Sequence, residues 1–218
     1  MKRKIQLLSL IVVSSILSGC FLKSVHPLVK PSDSISIPGL EGTWEEEDSR
    51  WTFIRSAEGN EQIKAIMEDI DLSHDGPGYL TLIESIEETR IDSMLFRSTF
   101  VKLNGEVYMD LYPLSLVSSP AQYKNQGLFA ATTFIDFHLV PVHTFSKIKK
   151  SDNELDILLF KDSWINDLIE KDRVRVKHEK TEDGVLLTAS TDELQKFVKK
   201  YGSMEEAYDS PASLEKIE

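Results

Sequence analysis

Short runs of alternating apolar and polar residues, broken at turn-forming positions, recur from Gly42 onward and constrain this chain more than any other feature. They fall at Gly42 to Glu46, Trp51 to Arg55, Gln62 to Glu68, Tyr79 to Ser85, Ser93 to Leu103, Glu106 to Tyr112, Thr133 to Lys147 and Leu155 to Phe160. A period of two puts successive side chains on opposite faces of a strand, so each run has one face to bury and one to leave wet. Val107, Met109 and Leu111 share one such face, and Glu106, Tyr108, Asp110 and Tyr112 the other. Eight punctuated strands predict a mainly β (α+β) fold, an antiparallel meander closing into a barrel or sandwich. Asn104-Gly105 is the best-marked hairpin, because both residues tolerate the positive φ of a type I′ turn. No repeat of about 20 to 50 residues interrupts the pattern, so a solenoid or propeller is disfavoured. With 41% hydrophobic residues over 218 positions, a single globular domain suffices.

Helical spacing appears late. Trp164, Ile165, Leu168 and Ile169 predict a helix from Trp164 to Lys171 capped by Ser163. Two strands, Val174 to Glu179 and Val185 to Ala189, then form a hairpin turning at Asp183-Gly184. Ser190-Thr191-Asp192-Glu193 is a capping box, followed by Leu194, Phe197, Val198 and Tyr201 along one stripe and ended by Gly202. Acidic Asp192 and Glu193 at its start and Lys199 and Lys200 at its end complement the helix dipole. Residues 203–218 lose the period and read as an acidic flexible tail.

The other terminus reads as an address. Lys2, Arg3 and Lys4 precede an apolar run from Ile5 to Ile16, which is shorter than the roughly 18 to 20 residues of a spanning helix. Residues 1–19 are therefore expected to be a signal peptide. Residues 20–38, with Pro27, Pro31 and Pro38 among serines, read as an extended tether, and residues 39–202 as the β-rich domain with its C-terminal helices. Pulled straight, the tether would reach some 60 Å at about 3.3 Å per residue.

Charge and sulfur narrow the partners. There are 25 Lys plus Arg against 36 Asp plus Glu, a net charge of -11, and no basic excess to offset the repulsion of a phosphate backbone, so no nucleic-acid partner is expected. The single cysteine, Cys20, excludes an intrachain disulfide and a thiolate metal cluster.

Leu17-Ser18-Gly19-Cys20 resembles the lipobox of bacterial lipoproteins, which implies diacylglyceryl modification of Cys20, cleavage before it and an envelope protein held to the membrane by acyl chains. Phe21 follows, where an aspartate would favour inner-membrane retention; in a Gram-negative host the resemblance implies the outer membrane, facing the periplasm. Gly42-Thr43-Trp44 looks like the G-x-W signature of lipocalins, whose tryptophan closes the bottom of an eight-stranded ligand-binding barrel. That likeness makes Trp44 a candidate ligand-binding residue. Lipocalins also pair this tryptophan with a late basic residue and end in one helix, whereas this sequence has two late helices and no assignable basic partner. Together with Tyr108-Met109-Asp110-Leu111-Tyr112-Pro113, His138-Leu139-Val140-Pro141-Val142-His143-Thr144-Phe145 and Leu187 to Phe197, the motif is similar to a family of uncharacterised bacterial lipoproteins. The likeness implies an architecture and an anchor but no activity.

Residues able to carry chemistry are few. Asp110 and Asp136 lie in expected strands among apolar neighbours, and His138 and His143 lie close to the second of them. Two carboxylates facing one cavity divide acid and base roles in glycoside hydrolysis, and a histidine near either supplies a base. His138 and His143 are an odd number apart and face opposite sides of a regular strand, unless Pro141 marks a bulge. Asp71, Ser73 and Asp75 with Gly76 resemble the opening of a calcium loop, but the twelfth position is Leu82 instead of the bidentate glutamate. No nucleophile elbow, phosphate loop or dinucleotide glycine pattern occurs, so no cofactor is expected. The leading expectation is a noncatalytic, lipid-anchored module that binds a small apolar ligand or another envelope protein. The alternative is an envelope hydrolase using Asp110 or Asp136 with a nearby histidine.

Overall fold

The alternating runs pair in the order in which they occur. The structure is a computed structural model that describes residues 22–55, 77–87, 90–117, 141–182 and 184–217. Its strands are β1 (Lys23–Ser24), β2 (Gly42–Glu46), β3 (Ser49–Ile54), β4 (Gly78–Glu87), β5 (Arg90–Leu103), β6 (Glu106–Val117), β7 (His143–Lys150), β8 (Glu154–Leu159), β9 (His178–Thr181), β10 (Gly184–Leu187) and β11 (Ala212–Lys216). Among the described residues two α-helices, α1 (Asp162–Glu170) and α2 (Thr191–Tyr201), accompany them. Strands β2 to β8 pair as consecutive antiparallel neighbours, and β11 pairs with both β8 and β2. Among the described residues these eight strands close an antiparallel, lipocalin-like barrel. The expected strand from Gln62 to Glu68 and residues 133–140 of the expected Thr133 to Lys147 strand lie outside the described residues.

Register carries the alternation into a core. Phe100 opposes Met109, Trp51 opposes Ile83 and Trp44 opposes Lys216, so the inward faces of neighbouring strands coincide. Trp44, Phe53, Tyr79, Phe100, Met109, Leu111, Ile148, Leu155, Ile157 and Leu214 fill the inside, each 6% exposed or less. Phe53, Tyr79 and Phe100 meet edge-on or tilted, with centroids 5.4–6.5 Å apart. The Asn104-Gly105 turn has φ of 50° and 88°, the positive pair that a type I′ hairpin requires. Strand β6 runs past its expected end at Tyr112, because a register shift lets Phe96 pair with Pro113, whose missing N–H a continuous ladder would not tolerate.

The outer faces of β5, β6 and β7 bury a second core. Val101, Leu103, Tyr108 and Phe145 pack there with Ile165 and Leu168 of α1 and Leu194, Phe197, Val198 and Tyr201 of α2. At the start of α2 the Glu193 carboxylate accepts from the Ser190 backbone N–H at 2.9 Å and from its hydroxyl at 2.8 Å, which secures the helix entry, and Gly202 ends the helix. Those hydrogen bonds hold the Glu193 carboxyl below its ordinary pKa.

Several sequence expectations need correction. Residues 203–217 are not a flexible tail: Ala207, Tyr208 and Leu214 are buried, and β11 is the strand that closes the barrel. Its alternation is too short to stand out, since Glu215 takes the outer face while Lys216, on the face of Leu214, caps Trp44 at the barrel end. Residues 22–38 are not an extended tether either, since Leu22, Leu28 and Val29 are buried in the outer core and β1 pairs with β7 and β10. The first helix begins at Asp162 after Lys161 instead of being capped by Ser163. There the Lys161 N–H donates to the Ala207 carbonyl at 2.9 Å, so tertiary contact sets the helix start. Gly184 is not a turn residue but opposes Thr181 within the β9–β10 hairpin, where its position against the Asp162 carboxylate leaves no room for a Cβ.

Candidate functional site

Trp44 sits at the sealed end of the barrel. Residues 34–40 cross that end: the Ile35 N–H donates to the Phe100 carbonyl at 2.9 Å, the Ile37 N–H donates to the Tyr79 hydroxyl at 3.0 Å, and Leu40 is fully buried. The Trp44 indole N–H donates to the Leu40 carbonyl at 2.8 Å. Two ammonium groups lie over its ring, Lys216 at 5.2 Å and Lys150 at 5.5 Å from the centroid. The basic partner that sequence left unassigned is thus supplied by the end of β7 and the end of β11, which only barrel closure brings together. Trp44 is 0% exposed. Inside the barrel, among the described residues, three Ser and Thr hydroxyls are buried. The Thr81 and Ser98 hydroxyls bond each other at 2.5 Å, and the Ser146 hydroxyl is buried without a partner among the described residues.

Asp110 gathers the second site on the outside of the same strands. It is 2% exposed on β6, opposite Phe145 of β7. Its Oδ2 accepts from the Leu28 backbone N–H at 2.6 Å, and its Oδ1 lies 2.8 Å from His143 Nδ1. The imidazole is tilted against the Tyr112 ring at 4.7 Å, and the Arg97 guanidinium lies 5.9 Å from the centroid of the same ring. Burying a carboxylate costs several kcal/mol unless its lone pairs are matched, and here a backbone amide and an imidazole match them. A carboxylate accepts, so this contact places the Nδ1 side of the ring on Asp110 and turns Nε2 away from it. A carboxylate on an imidazole is the arrangement that orients a histidine base where one is used in catalysis.

No nucleophile bonds this imidazole among the described residues. Ser24 faces His143 across the β1–β7 pairing, but it is fully buried, and its hydroxyl donates to the His26 carbonyl at 2.8 Å. No hydroxyl bonds Nε2 there. Asp136 and His138, the calcium candidates Asp71, Ser73 and Asp75, and the lipidation candidate Cys20 lie outside the described residues, and among those described no three His, Cys, Asp or Glu side chains converge as metal ligands.

What Asp110 does in the described structure is hold the N-terminal segment. The Gln195 amide donates to the Leu28 carbonyl at 3.1 Å, the Thr191 hydroxyl donates to the Pro27 carbonyl at 2.7 Å, and Lys30 pairs with Asp192 at 2.5 Å. Hydrogen bonding between these last two raises the Lys30 pKa and lowers that of Asp192. Sequence reading found Asp110 and His143 but not Leu28, because an amide donor 82 residues away carries no local signal. No family model, curated protein or solved structure matches the chain.

Proposed function

We propose that the protein is an exported lipoprotein, acylated at Cys20, that presents its barrel on the cell envelope as a noncatalytic binding or scaffold module. In a Gram-negative host its place is the outer membrane, facing the periplasm. The observation that carries the reading is the packed, end-sealed barrel. With Trp44, Phe53 and Phe100 at 1% exposure or less, the described interior is a core, and the working surface is the outside. Docking of residues 22–37 adds a consequence. Cys20 is two residues from buried Leu22, so the acyl anchor would hold the domain within about 7 Å of chain from the bilayer instead of on a long tether.

Metabolic labelling with palmitate and fractionation test this. The wild-type chain is expected to be labelled and to partition with membranes, and Cys20→Ser to lose both properties. Labelling retained in that variant overturns the anchor.

The Asp110–His143 pair favours a second reading, an envelope hydrolase in which His143 serves as the base. Under it, His143→Gln abolishes hydrolysis of ester or glycoside substrates while leaving the fold intact. A scaffold shows no such hydrolysis in the wild-type protein.

A further inference from the structure

The loop between α1 and β9 and the adjoining side of α2 border an open cleft of about 430 Å³, lined by Arg173, Arg175, Lys196 and Lys200 with an apolar floor that includes Val176, Phe197 and Tyr201. That volume falls in the range of small-molecule sites. Four cations in one cleft stand out on a chain whose net charge is -11. Among the described residues none of the four lies within 4.0 Å of a carboxylate, although Lys30, Arg50, Lys147, Lys161 and Lys171 all do. Two carboxylates also line the cleft, Asp172 and Glu193, and the latter is engaged by Ser190 at the start of α2. The four cations are exposed, whereas Val176, Phe197 and Tyr201 beneath them are 5–8% exposed.

The walls are fixed before any ligand arrives. The Tyr201 hydroxyl donates to the Arg173 carbonyl at 2.8 Å, and the Arg173 N–H donates to the Leu168 carbonyl at 2.8 Å. His178 Nδ1 bonds the Val176 carbonyl at 2.8 Å, and the Thr188 N–H donates to the Lys177 carbonyl at 2.9 Å. Both edges of the loop are therefore tied by backbone atoms, and its side chains are free to face the cleft. Guanidinium groups offer paired N–H donors that match the oxygens of a phosphate or carboxylate, and ammonium groups add point charges beside them.

We propose that this cleft binds a small amphiphilic anion, a phosphate or carboxylate head on an apolar body, with the head held by Arg173, Arg175, Lys196 and Lys200 and the body against the Phe197 edge. The inference stands on the cleft alone and does not depend on acylation of Cys20. Two sources share this chemistry, an anionic lipid headgroup and a soluble organic phosphate.

The test is calorimetric titration of the chain from residue 20 onward, carrying Cys20→Ser so that no acyl group is attached. The probes are phenyl phosphate, monomeric dihexanoyl phosphatidylglycerol, its phosphatidylcholine counterpart and inorganic phosphate. The two amphiphilic anions are expected to bind saturably, and more weakly as salt shortens the screening length from about 10 to about 3 Å. The zwitterionic lipid and inorganic phosphate should bind about tenfold more weakly or not at all, each lacking one of the two interactions. Tighter binding of the lipid assigns the ligand to the membrane and tighter binding of phenyl phosphate assigns it to the soluble pool, and either supports the site. The variant Arg173→Gln, Arg175→Gln, Lys196→Gln, Lys200→Gln should keep the wild-type circular dichroism, with the melting midpoint lowered only slightly as Lys200 leaves the end of α2 and the Tyr201 ring, while losing about tenfold or more in affinity. Absence of saturable binding by both anions, equal binding of the zwitterionic lipid, or undiminished binding by the folded variant overturns the proposal.

Discussion

Replacing Leu214 by alanine separates a barrel-closing strand from a loose tail more cleanly than any other single change. Leu214 is 0% exposed, faces inward opposite Leu155 of β8, and lies on the strand that joins β8 to β2. Truncating a fully buried leucine removes its transfer free energy and leaves a cavity that a barrel hydrogen-bonded on both sides of β11 cannot collapse around, a combined cost of about 2 to 5 kcal/mol. Against a total stability of about 5 to 15 kcal/mol, that is a large fraction. With a urea slope of about 2 to 3 kcal/mol per molar, the denaturation midpoint should fall by roughly 1 to 2 M. Ile217, 52% exposed just beyond β11, is the internal control, and Ile217→Ala should stay within about 0.5 kcal/mol of wild type. The assay is equilibrium urea unfolding followed by circular dichroism, with hydrogen exchange reporting β2 and β8. Removing residues 212–218 should strip exchange protection from both strands, because each would lose a partner. A midpoint unchanged in Leu214→Ala, with β2 and β8 still protected in the truncated chain, would refute closure by β11.

Three further outcomes follow from the geometry. Asp110→Asn keeps the shape but weakens a charge-assisted bond to the Leu28 amide, so stability should drop by about 2 kcal/mol and exchange at that amide should accelerate; unchanged Leu28 protection would contradict the docking role of Asp110. Ser146→Ala removes a buried hydroxyl without a partner among the described residues and should raise stability by about 1 kcal/mol, read as a higher urea midpoint, whereas a loss would mean that the hydroxyl is satisfied. Burial raises the pKa of Tyr208 and of Tyr108 above the ordinary phenol value. Their hydroxyls stay protonated in the folded protein while the unfolded chain ionises near pH 10, so this stability is intact below about pH 10 and falls as pH rises above it. Urea midpoints measured on either side of that pH should decline, and the decline should shrink in Tyr208→Phe.

How much of this was legible in the sequence depended on the range of the interaction. The capping box of Ser190 and Glu193, the stripe from Leu194 to Tyr201 and the Asn104-Gly105 turn involve atoms within a few residues of one another, so local composition specifies them. The alternation of Val107, Met109 and Leu111 with Tyr108, Asp110 and Tyr112 likewise assigned two faces correctly, since pleating depends only on the chain's own geometry. It could not say that both faces would be buried, one inside the barrel and the other under α1 and α2. Asp110 and His143 were visible as chemistry-bearing residues in neighbouring strands, while the Leu28 amide that completes their group was not.

The sequence by itself therefore determined the β meander, its principal hairpin, the α2 helix and the inward position of Trp44. Tertiary structure alone decided that residues 22–38 dock onto the barrel, that residues 212–216 close it, and that Lys150 and Lys216 meet over Trp44. The reason is that strand pairing is satisfied between backbone atoms of segments far apart in the chain. A short segment such as β11, with one buried leucine among charged residues, acquires its conformation from the two open edges it bridges and not from any preference written in its own residues.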